Sequence, residues 1–114
     1  MLSRRGASDP GRLRLRLLLE HATASPDGAG GSTLAWSSVA TVAADVTPIK
    51  AEEQPRGEGL ADMVLHKIVI RHRDDVELGD RFRLGARTFL ILAVSDPAED
   101  GRYLACLAEE GGAP

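Results

Sequence analysis

Apolar and polar positions alternate most regularly between Val64 and Val94, VLHKIVIRHRDDVELGDRFRLGARTFLILAV. Val64, His66, Ile68, Ile70 and His72 share one side of an extended segment, and Leu65, Lys67, Val69, Arg71 and Arg73 share the other. Side chains alternate across a strand with period 2, so the stretch is predicted as a half-buried strand with a basic outer face. Asp74, Asp75 and Gly79-Asp80 break the pattern, and Arg81-Phe82-Arg83-Leu84 restarts it. Gly85-Ala86 is a short turn before the apolar run Arg87 to Val94. Two runs joined by a Gly-containing turn predict a hairpin.

Upstream, Arg12 to Glu20 (RLRLRLLLE) sets Leu13, Leu15, Leu17 and Leu19 against Arg12, Arg14 and Arg16. Leu and Arg are also good helix formers, but strict alternation favours a first strand. His21 to Ser32 holds Pro26, Asp27, Gly28, Gly30 and Gly31, the composition of a flexible hairpin tip. Leu34 to Val46 is the second strand, with Trp36, Ser38, Ala40, Val42, Ala44 and Val46 on one side. Thr47 to Met63 carries Pro48, Pro55, Gly57 and Gly59, and Leu60 to Met63 has room for one helical turn. Ser95 to Gly101 is a turn, and Arg102 to Glu109 is the last strand. These elements predict a mainly β fold: a small antiparallel β-barrel, SH3/OB-like, with long loops and at most a short helix. Residues 12–110 form the expected single domain, with an insertion loop at 47–63, a flexible basic arm at 1–11 and a tail at 111–114.

Length and composition narrow this further. A chain of 114 residues has room for one domain. One Trp, one Tyr and two Phe leave the core to Leu, Val, Ile and Ala. Net charge is −3, too small to argue for a polyanion partner by itself. Its distribution is uneven: residues 1–16 hold five arginines against one aspartate, a net +4 that leaves −7 for the remainder. A basic arm on an acidic body can touch nucleic acid or an acidic neighbour. The single cysteine, Cys106, allows no disulfide framework and reads as a small buried hydrophobe. No apolar stretch reaches the length of a membrane span. Arg14 and Arg16 interrupt the leucines after the basic start, which excludes a cleaved signal segment.

Candidate chemistry is sparse. GAGGST at the hairpin tip has the look of a phosphate loop but lacks its Lys and its following helix. His66 and His72 lie six residues apart, roughly 20 Å along a strand, and cannot share a metal. Asp74, Asp75, Glu77 and Asp80 lack the spacing of a calcium loop and read as a turn paired with Arg71, Arg73 or Arg81. No catalytic, cofactor-binding or metal-binding residue is assigned. The candidate contact residues are Arg12, Arg14 and Arg16 on the first strand and Arg71 and Arg73 at the end of the third. Lys50, Glu52, Glu53, Arg56, Glu58 and Asp62 join them from the insertion, because loops of this length are usually functional or disordered. The arginines of the first strand equally serve to solubilise an outer face or guard an edge.

In order, the chain reads LRLRLLLEH, a Gly-rich turn, W-x-x-V-A-T-V-A-A-D-V-x-P, an insertion, H-K-I-V-I-R-H-R-D-D-V, G-D-R-F, G-A-R-T-F-L-I-L-A-V and L-A-C-L-A-E-E. Over about residues 12–110 this resembles the phage head–tail joining proteins, the head-closure or stopper family also found in gene transfer agents. The residues that carry the resemblance are Trp36, Pro48, Ile70-Arg71, Gly79, Arg81 and Phe89. Two departures stand out: an insertion unusually rich in Pro and Gly, and Ala43-Ala44 where a bulky aromatic is common.

The resemblance implies a structural protein of a virion or phage-like particle, assembled in the host cytoplasm, and not an enzyme. It implies a homo-oligomeric ring, typically a dodecamer, beneath the portal and its adaptor and above a tail terminator or tail tube protein. The ring would continue the channel for packaged double-stranded DNA, help retain that DNA and dock the tail, without cofactor or membrane. The alternative is a small OB- or SH3-like nucleic-acid-binding module using the arginine faces. It would need aromatic platforms for single strands, which this chain has in short supply.

Overall fold

A computed structural model describes residues 13–49 and 64–111. Six strands run in order: β1 (Leu15–Pro26), β2 (Ser32–Ile49), β3 (Val64–Arg71), β4 (Arg81–Leu84), β5 (Arg87–Ser95) and β6 (Tyr103–Gly111). No helix occurs among the described residues. The expected turn at Leu60 to Met63 lies outside them.

The sheet is antiparallel and closes on itself in the order β1-β2-β3-β6-β5-β4. Closure comes from β1 and β4, where Leu18, Leu19 and Glu20 pair with Arg83, Phe82 and Arg81. Closing a sheet removes its edges and leaves one enclosed face for the core. That face carries Leu17, Leu19, Val42, Ala44, Ile68, Ile70, Phe82, Phe89, Ile91, Leu104, Cys106 and Ala108 in one cluster. The strands at Leu17-Leu19, Val42-Ala44 and Ile68-Ile70 thus turn the predicted side inward.

Gly85 and Ala86 join β4 to β5, with Leu84 paired to Arg87. Gly85 sits at φ 61°. A positive φ at the first central residue belongs to a two-residue hairpin turn that only glycine enters without strain.

Three strand limits differ from expectation. β1 and β2 pair as far as Pro26 and Ser32, so the connection shrinks to five residues in which Asp27 accepts from the amides of Ala29 and Gly31. Thr47, Pro48 and Ile49 belong to β2, paired with Lys67, His66 and Leu65, so the insertion does not begin at residue 47. Gly111 closes β6 opposite Thr88 instead of opening the tail. In each case a strand neighbour overrides the local turn signal of Pro, Ser or Gly.

Two bulges reset the alternation. Leu19 pairs with Ala40 but Glu20 pairs with Ser38, leaving Val39 as the extra residue. Ile91 pairs with Ala108 but Ala93 pairs with Leu107, leaving Leu92. One extra residue moves everything beyond it to the opposite face. Trp36, expected on the side of Ala40 and Val42, therefore stands on the outer wall opposite Ala22. The outer side of β3 is also less basic than its pattern implies, because Leu65 and Val69 are buried there.

Candidate functional site

The two ends of the closed sheet differ. At one end, the segment between β3 and β4 folds back over the core. Asp80 is only 1% exposed. Its Oδ1 lies 2.7 Å from Nδ1 of His21, and its Oδ2 accepts from the amide of Glu77. The amide of Ile91 donates to the Asp80 carbonyl, and that of Gly79 to the Ile91 carbonyl. Gly79, at φ 93°, supplies the backbone bend. Hydrogen bonding to Asp80 raises the His21 pKa above the usual histidine value. His21, Glu77 and Asp80 could approach a cation together, but both Asp80 oxygens are already engaged by protein groups.

At the other end, Arg87 donates through Nε and Nη2 to both carboxylate oxygens of Glu110, at 2.9 and 3.1 Å. The arginine holds the Glu110 carboxyl below its ordinary pKa. His66 lies beneath, edge-on to Phe89 with ring centroids 5.1 Å apart. Burial lowers its pKa, and its Nδ1 has no protein hydrogen-bond partner among the described residues. Ile49 and Val64, which flank the insertion, both belong to this end.

On the outer wall, Glu20 is the centre of a second cluster. Arg81 Nε donates to its Oε1 at 2.6 Å, and Arg83 Nη2 stands 3.4 Å from its Oε2. The Arg81 guanidinium lies 4.0 Å from the centre of the Trp36 ring. Trp36 is thus a rim anchor with a cation on its face.

Past this cluster the hairpin leaves the body. β1 meets β4 only at Leu18 to Glu20, and β2 meets β3 only from Ala44. From His21 to Pro26 and from Ser32 to Ser38 the two strands pair only with each other, and His21 and Trp36 at the base still touch Asp80 and Arg81. The result is a two-stranded ribbon of about 20 Å beyond the end that Asp80 closes.

Residues 8–111 match the model of the phage head completion protein family. The chain belongs to that family. Head completion proteins are structural parts of phage and gene transfer agent virions, and this one is a non-catalytic component of the head–tail region of such a particle. It is similar to a chain in the virion of a native gene transfer agent particle, with 37% identity over 86% of this chain and 94% of that one, at a TM-score of 0.68. A solution structure of a protein from Shigella flexneri 2a shares the fold, at 23% identity and a TM-score of 0.65, over 93% of this chain and 99% of that one. Among curated proteins nothing matches.

In this head completion protein the predicted contact residues divide. Arg16 pairs with Ala43, one residue before the Ala44 that faces Ile70, so Arg16 and Arg71 flank Ala43 on one outer wall. A groove of about 330 Å³ opens there between Thr41, Ala43, Arg71 and Arg73, left clear by the small side chain of Ala43. Arg73, on the groove's edge, is held in a two-bond pair with Asp75, at 2.9 and 2.8 Å. Arg14 precedes β1 and is exposed. Arg12, Lys50, Glu52, Glu53, Arg56, Glu58 and Asp62 lie outside the described residues.

Sequence reasoning missed the pairs Glu20–Arg81 and His21–Asp80, which join positions 61 and 59 residues apart. A signal existed for the first: a lone glutamate at the end of a leucine strand, and an arginine in the strand G-D-R-F.

Proposed function

We propose that this head completion protein assembles as a homo-oligomeric ring, a dodecamer, beneath the portal and adaptor. The ring continues the DNA channel, helps retain packaged double-stranded DNA and offers its lower face to a tail terminator or tail tube protein. The observation that carries this reading is the 37% identity, over 86% of the chain, to a component of an assembled gene transfer agent virion. The closed sheet fits the class of small SH3/OB-like barrels, with residues 12–111 as one domain and 1–11 as an arm.

Position supports a division of labour. The insertion leaves β2 at Ile49 and returns at Val64, at the end opposite the ribbon. Its acids Glu52, Glu53, Glu58 and Asp62, with Lys50 and Arg56, face the channel or a neighbouring subunit. An acidic lining suits a channel through which DNA slides, since attraction to phosphates would brake it. Arg12, Arg14, Arg16 and Arg71 meet an acidic neighbour. A nucleic-acid-binding module is the weaker reading, because Arg81 covers a face of Trp36.

Imaging particles made with and without this chain tests the reading. Heads that leak or carry no tails in its absence support it. Normal joining of heads and tails without it refutes it.

A further inference from the structure

The ribbon is unusual in having no guards. Exposed strand edges invite pairing with other chains, and proteins blunt them with charges, prolines or covers. From Ala22 to Ala44 the one ionisable side chain is Asp27, and its carboxylate is occupied by the turn amides. Pro26 sits only at the tip. Leu34 is 61% exposed on the ribbon, and the bulged Val39 is exposed at its base.

The opposite wall carries a matching recess. In the closed order, β1 and β6 are three places apart and face each other across the core. A groove of about 340 Å³ runs over β6 and its neighbours, lined by Ile49, Ala93, Pro97, Ala105 and Leu107, with Lys67 at its edge. The exposed Leu92, put outward by the second bulge, lies beside it. A projection beyond one end, whose only charge is the turn-bound Asp27, and an apolar recess on the wall across the core from β1 cannot meet within one molecule. Between copies they make a head-to-tail contact, the type that closes into rings when the rotation allows.

We propose that the β1–β2 ribbon of one copy, led by Leu34, docks in the groove over β5 and β6 of the next copy. The inference rests on the ring reading and names its subunit contact.

The test is disulfide trapping in purified particles and in the isolated chain, with sedimentation run in parallel. The double variant L34C/A93C places one thiol on the ribbon and one in the groove, both at exposed positions. A ladder of covalent oligomers beyond the dimer, absent from L34C alone and from A93C alone, is the expected result. L34E, which keeps the core intact, should shift oligomer formation to at least about tenfold higher concentration by sedimentation. Oligomers without a ladder overturn the contact and leave the ring standing. A covalent dimer from L34C alone, or a bond from L34C to another particle protein, overturns the head-to-tail occupant. Absence of oligomers in both chain and particle overturns ring and contact together.

Discussion

The carboxylate of Asp80 reaches across 59 residues of sequence to His21, at 2.7 Å, and fastens the segment before β4 over one end of the core. Asp80→Ala removes this bond and strands the amide of Glu77. A stability loss of about 1–3 kcal/mol is expected. Hydrogen exchange should show the Glu77 amide losing protection, while the β3 amides keep theirs. Unchanged exchange at Glu77 would argue that the backbone bonds alone hold the segment.

The two histidines next to the core act with opposite sign on pH. His21 has its pKa raised by Asp80, so its contribution is full below the usual histidine value of about 6.5 and is lost as pH rises through the raised value. His66 has its pKa lowered by burial, so its contribution is full above about 6.5 and is lost as pH falls through the lowered value. Thermal midpoints followed between pH 5 and pH 8, about the range in which histidine titrates, should show H66L flattening the acid-side loss and H21Q flattening the alkaline-side loss. The same slope in both variants would exclude this assignment.

Glu20 holds two arginines while itself almost buried. Glu20→Ala leaves Arg81 largely buried without its carboxylate, a loss on the order of 3 kcal/mol. The guanidinium should also shift from the Trp36 face, and the chain has a single Trp. A change in tryptophan emission accompanying the loss of stability is the expected pair of signals.

Body and ribbon should respond differently to truncation. Phe82 is fully buried, and Phe82→Ala should cost about 3–5 kcal/mol. Leu34→Ala, on the exposed ribbon, should fall within about 0.5 kcal/mol of the parent. Denaturant midpoints of the two variants would reveal any hidden packing of the ribbon on its own body.

Cys106 is 1% exposed and burial pushes its thiol up to about 12. It should stay silent toward a thiol reagent in the folded chain and react fully once the chain is unfolded. Rapid labelling of native protein would mean that β6 opens readily.

Local chemistry was readable where the signal was local. Gly85-Ala86 between two alternating runs specifies its own hairpin, and the leucines of β1 specify the buried side at Leu17 and Leu19. Val39 and Leu92 carry no mark of a bulge, since both are ordinary strand residues, so the wall on which Trp36 stands could not be read. Asp80 sits in an acidic run and reads as one more surface charge, whereas β1 supplies the partner that makes it structural. Of the predicted arginines, Arg16 and Arg71 share a wall because β2 lies between their strands, a neighbour relation that no short window contains. Family membership was readable because it depends on the order of motifs.

The position of β6 sets a timetable for synthesis. This sixth strand lies between β3 and β5, which do not pair with each other directly. Without β6 the other strands form one open sheet, β5-β4-β1-β2-β3, whose two outer edges are still unpaired. Pairings of such long range form slowly. Closure waits for Tyr103–Gly111, so nascent chains and fragments cut before Tyr103 expose the edges of β3 and β5 that the closed sheet covers.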